Sequence, residues 1–79
     1  MTRLKKVIQE SQRIVGLFVG EIEVYDHSVS YCEVYETYEI DFFDEHLNVI
    51  KRIDSTYLDV LKQLKEFMYF WCDSLLKKG

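Results

Sequence analysis

Residues 31–43, "YCEVYETYEIDFF", constrain the fold more than any other stretch of the chain. Aromatic and aliphatic residues alternate with polar ones, and a period of two belongs to a β-strand with one dry and one wet face. The spacing predicts a strand from Tyr31 to about Phe43. Its inner set is Cys32, Val34, Tyr38, Ile40 and Phe42, and its outer set is Tyr31, Glu33, Tyr35, Thr37, Glu39 and Asp41. Glu36 lands on the inner side. That predicts a bulge near Glu36 and Thr37, or an inner face left uncovered there.

Such a strand needs neighbours. The period is also two from Leu17 to Tyr25, where Phe18, Gly20, Ile22 and Val24 alternate with Val19, Glu21, Glu23 and Tyr25. "DHSVS", residues 26–30, reads as the turn between these strands, "DEHLN" as the next turn, and "VIKRI" as a short third strand.

On both flanks the period becomes helical. In residues 2–15, Leu4, Val7, Ile8, Ser11 and then Ile14 or Val15 share one face, with Thr2 as the cap and Gly16 as the stop. Ser11 within that stripe predicts a close approach to another element. From about Thr56 to Lys77, a broad stripe holds Tyr57, Val60, Leu61, Leu64, Met68, Trp71, Cys72 and Leu75. Asp54 or Ser55 is the expected cap, and Lys77 and Lys78 suit the negative end of the helix dipole.

The element order is α-β-β-β-α. It predicts one α+β domain over residues 1–79, a three-stranded antiparallel sheet with two helices packed on one face, because each element has one dry side. The expected core is Ile22, Val24, Val34, Ile40, Leu61, Leu64, Met68 and Trp71. Seventy-nine residues lie near the lower limit for a single core, but a hydrophobic share of 48% lets the chain fold without staples. Cys32 and Cys72 lie far apart with no zinc spacing, and two buried free thiols are expected. No secretory signal is read at the start, and "FMYFWCDSLL" is about half a membrane span and contains Asp73. A soluble, cytoplasmic protein is expected.

The same element order occurs in the double-stranded RNA-binding domain, which the chain resembles in topology. That family places a basic cluster at the start of its last helix to hold phosphates. Here that position reads "DSTYLDVL", with Asp54 and Asp59.

Charge is segregated along the chain. Residues 14–50 hold nine acids and no Lys or Arg, whereas the bases belong mainly to the two helices. Direct binding to nucleic acid is not expected, because the acid block repels a phosphate backbone. The outer sheet face would show Glu21, Glu23, Glu33, Glu39 and Asp41 beside Tyr25, Tyr31 and Tyr35. Like charges on neighbouring strands repel, and a cationic partner would relieve that cost through charge-assisted hydrogen bonds. Tyrosines add rigid contact area.

Catalysis has little support in the residues. There is no nucleophile-elbow context and no Gly-rich phosphate loop, the glycines being Gly16, Gly20 and Gly79. "DFFDEH" gathers Asp41, Asp44, Glu45 and His46, but a polar hairpin end explains it without a metal. The sequence therefore predicts a non-catalytic binding protein with no cofactor, no metal and no membrane contact. It would present its acidic, tyrosine-bearing sheet to a basic, nucleic-acid-binding surface of a partner protein. In size and charge style it is similar to small acidic proteins of phages and mobile elements that block nucleases or defence complexes. The competing expectation is a structural or oligomeric protein acting through its aromatic last helix. There Tyr69 and Phe70 fall off the apolar stripe and are candidates for self-association as a homodimer.

Overall fold

The computed structural model describes residues 2–72. Helix α1 (Thr2–Gln12) leads into two minimal strands, β1 (Phe18–Val19) and β2 (Ile22–Glu23). Three longer strands follow, β3 (Asp26–Cys32), β4 (Thr37–Phe43) and β5 (Val49–Thr56), and then helix α2 (Tyr57–Trp71). β3, β4 and β5 form an antiparallel sheet in that order, and β1 pairs with β2 as a separate hairpin. The architecture is α+β, with a helix at each end of the strand series. No helix among the described residues is long and apolar enough to cross a membrane.

β4 carries the alternation that the sequence shows. Tyr38, Ile40 and Phe42 are buried, while Thr37, Glu39, Asp41 and Phe43 between them are half-buried on the other face. Residues directly opposite in an antiparallel pair share a face. The register therefore places Val29, Ile40 and Ile53 in one inward row, and His27, Phe42 and Lys51 in another. The two helices cover this inward face, α1 over β3 and α2 over β5 and β4. They lie side by side and run the same way. The Arg3 guanidinium stands 4.9 Å from the Tyr57 ring centroid near the two helix starts. Further along, Lys6, Glu10 and Arg13 share a recess with Leu61, Lys65 and Tyr69.

The core is Val7, Ile14, Val24, Tyr38, Ile40, Phe42, Ile53, Val60, Leu64 and Phe67. Leu61 and Met68 pack against its margin. Ser11 is fully buried within the α1 stripe, as a close approach requires, and its hydroxyl donates to the Ile8 carbonyl at 2.9 Å.

Several expectations are corrected. "DHSVS" is not a turn but most of β3, and the turn lies instead at residues 33–36, where Glu36 adopts φ 53°. That hairpin tip removes the anomaly at Glu36 and takes Val34 out of the core, to 82% exposure. The first expected strand breaks at Gly20, whose φ of 65° suits a tight turn, and Ile22 beyond it is exposed. Cys32 pairs with Thr37 on the outward face and is an exposed free thiol, not an inner residue. β5 runs on through Asp54 and Ser55 to Thr56, so neither caps α2 from a loop. The sheet's irregularity sits at Phe42 and Phe43, opposite β5, rather than near Glu36. α1 ends at Gln12, and Gly16, at φ 96°, turns the chain so that its N–H donates to Val24 O at 2.8 Å. On α2, Phe67 takes the buried position expected of Trp71, and an extended Cys72 follows the helix. The expected continuation through Leu75 to Lys77 and Lys78 lies outside the described residues.

Candidate functional site

Among the described residues no helix covers the outward face of the β3–β4–β5 sheet. Its rows follow from the register. Ser30, Glu39 and Asp54 form one, Ser28, Asp41 and Arg52 the next, and Asp26, Phe43 and Val49 the last. Four carboxylates therefore share this face with one base, Arg52. Glu39 and Asp41 stand about 6.8 Å apart along β4, two residues on the same side of one strand.

Arg52 organises the centre. Its Nε lies 2.8 Å from Asp41 Oδ1 and 3.0 Å from Glu39 Oε2, and its Nη2 donates to Asp41 Oδ2 at 3.3 Å. The hydrogen bonds and charge of Asp41, and then the charge of Glu39, raise the guanidinium pKa above its ordinary value. The positive charge is held between two acids, and Asp54, next on the same side of β5, adds a weaker attraction, whereas Asp26 lies in the row of Phe43 and Val49. The side chain of Asp26 is 60% exposed and accepts a hydrogen bond from the His27 N–H at 2.7 Å.

The structure brings together only part of the predicted binding set. Glu39 and Asp41 share the outward face. Tyr31 lies on the opposite, helix side, its ring 4.7 Å from that of Tyr38. Glu33 and Tyr35 occupy the exposed hairpin tip. Tyr25 precedes β3 and is exposed, its N–H bound to Phe43 O at 2.8 Å. Glu21 and Glu23 belong to the small hairpin, where they line a shallow recess with Asp44, Glu45 and His46. The acidic surface is therefore a sheet face with an acidic fringe at each end, not one tyrosine-studded plane. Asp26 and Asp54 complete the face and were missed because one reads as a turn former and the other as a helix cap. The signal for Asp54 was the β-branched run around it, "VIKRIDST".

Two further places carry chemistry. Asp44 Oδ1 accepts from the backbone N–H groups of His46 and Asn48, both at 2.9 Å, so this carboxylate shapes the β4–β5 turn. Those bonds hold its pKa below the usual aspartate value, the Asn48 N–H contributing most. At the opposite end, Arg3, Tyr31, Glu36, Tyr38, Tyr57 and Leu58 line an open recess of about 350 Å³. Burial, then the charge of Glu36, raises the Tyr31 pKa. Tyr69, Phe70 and Trp71 at the end of α2 are all largely exposed.

No family model matches the chain, and no curated protein and no solved structure matches it either.

Proposed function

We propose that this chain is a small non-catalytic binding protein that docks the outward face of its β3–β4–β5 sheet on a basic surface of a partner protein. A nucleic-acid-binding surface is the partner chemistry that best suits it, which makes the chain an inhibitor by occupancy. One observation carries the reading: among the described residues, four carboxylates and a single base occupy a sheet face that no helix covers, while five of the eight described bases lie on the helices behind it. The field of the molecule is thus directional, which favours steered encounter with a cationic groove. The serines of β3 leave the carboxylates standing clear of bulky neighbours.

The test is competition. The chain should displace DNA from a basic nucleic-acid-binding protein that it recognises, and its association should weaken with added salt. Reversing Asp26 and Asp54 to Lys should slow association and reduce that salt dependence with the fold intact, since both side chains face solvent. Equal binding by the reversed variant would reject the reading.

A second reading rests on the exposure of Tyr69 (67%), Phe70 (78%) and Trp71 (65%), an aromatic cluster suited to an interface. In that case truncating Tyr69 and Phe70 to Ala abolishes binding, and the Lys reversals leave it unchanged.

A further inference from the structure

Among the described residues the sheet has two free edges, and they are not alike. β5 carries Lys51, Arg52 and Asp54, and the irregularity opposite Phe43 disturbs its pairing. Charges and bulges of that kind are how sheet edges resist pairing with other strands. β3, "DHSVSYC", has neither Lys nor Arg nor Pro, and its one charge is Asp26 at its start. Among the described residues no other strand or loop takes up the outer edge of β3.

The sequence of β3 is symmetric in character about Val29. Ser28 and Ser30 flank it on the outward face, and the rings of His27 and Tyr31 flank them on the inward face. A strand with that symmetry is complementary to itself run backwards. We propose that two copies of this chain pair β3 to β3, antiparallel about Val29, to make one six-stranded sheet with two-fold symmetry. In this register Val29 faces its own copy, Ser28 faces Ser30, His27 faces Tyr31, and Asp26 faces Cys32. No like charges are opposed. Sliding the register to bring Asp26 against Asp26 would oppose them, so charge helps to select the centred arrangement.

α1 supplies an independent reason. Val7 and Ser11 point into the core, and Arg3, Lys6, Glu10 and Arg13 turn toward α2. At 100° per residue, Leu4 and Ile8 fall on the remaining flank, away from α2 and above the open edge of β3. Leu4 is 40% exposed there, and Ile8 is half-buried. The two-fold axis brings the α1 flanks of both copies together, Leu4 toward Ile8. Arg3, Lys6 and Arg13 stay on the far side, and Lys5, which borders the seam, has its long side chain free to carry its charge into solvent. The pairing stands or falls apart from the proposed partner, although it would join two acidic faces across a strip of serines.

Sedimentation of the full chain over a rising concentration series tests this. The average mass should climb from 9.5 kDa toward twice that value. S28K/S30K should stay at the monomer mass. It opposes Lys to Lys across the axis, while Asp41 and Glu39 receive the same lysines within the chain and preserve the fold. S28K/S30E opposes Lys to Glu and should recover association. As a check free of folding effects, mild oxidation of the Asp26→Cys variant should link the new thiol to Cys32 of a second chain. A wild type that remains at 9.5 kDa overturns the proposal. So does a dimer that S28K/S30K leaves intact, or one that Tyr69 and Phe70 truncation alone abolishes.

Discussion

Arg52 grips Asp41 through two hydrogen bonds, Nε to Oδ1 at 2.8 Å and Nη2 to Oδ2 at 3.3 Å, and the same Nε reaches Glu39 Oε2 at 3.0 Å. Replacing Arg52 with Met leaves three strand carboxylates, Glu39, Asp41 and Asp54, without a counter-charge. The variant should unfold at a lower temperature than wild type, and the gap should narrow in high salt as the repulsion is screened. Under the proposed function it should also bind a basic partner at least as tightly, so stability and affinity would move in opposite directions. Thermal melts at two salt concentrations and a binding titration read the two effects separately.

The buried face of α2 is set by Val60, Leu64 and Phe67. Leu64→Ala should cost about 2–5 kcal/mol and Phe67→Ala about 3–5 kcal/mol, large shares of the stability of a small domain. Trp71→Ala should stay within about 0.5 kcal/mol, as surface substitutions do. Denaturant unfolding of the three variants checks the order. A costly Trp71→Ala would mean that the indole packs against something further.

His27 Nδ1 is buried without a hydrogen-bond partner, 4.0 Å from Asp26 Oδ1, and its ring stacks on Phe42 with 6.4 Å between centroids. A buried polar atom left unpaired costs about 1–3 kcal/mol. His27→Phe keeps the ring stack and removes the polar atom. It should leave stability unchanged or raise it by up to about that amount, as a shift in the denaturation midpoint at constant slope would show.

Asp44 and Asp59 both titrate below the ordinary aspartate value of about 3.9. The Asn48 N–H is the main cause for Asp44. For Asp59 it is the Ser55 hydroxyl at 2.6 Å, followed by the Gln63 amide. A depressed folded pKa adds stability that is complete above the unfolded value and is lost as pH falls toward the folded one. Both contributions should therefore be constant from neutrality to about pH 5 and decline below about pH 4. Asp44→Asn and Asp59→Asn should each shallow the acid limb of a stability–pH curve and leave its neutral plateau level.

The alternation in β4 and the helical stripes of α1 and α2 were legible because burial acts on them alone, one face dry and one wet. β3 was not. Asp26, His27, Ser28 and Ser30 favour turns locally, and an edge strand with one outward polar face gives them no apolar context to contradict that preference. The error displaced a whole hairpin, since reading the turn at 26–30 forces a strand through Glu33 to Glu36. Trp71 misled for a different reason. It falls in line with Val60, Leu64 and Phe67, yet it reaches past Phe67 into a recess beside Lys51 and Gln63, on the flank remote from α1. Of the candidate site, Glu39 and Asp41 were legible from β4. Asp26, Asp54 and the grip of Arg52 required the strand register, which periodicity does not supply.

The parallel arrangement of α1 beside α2 has a consequence for synthesis. α1 is made before every strand, and its neighbour is the last element of the series to be made. On a ribosome, β3 can cover part of the inner face of α1 early, but the side of α1 that meets α2 has no partner until residues beyond Leu64 have cleared the exit tunnel. Contacts so distant along the chain close late. The nascent chain therefore carries α1 with one flank unpacked from the first strand to the last helix, an interval in which a chaperone, or a second nascent chain, has access to it.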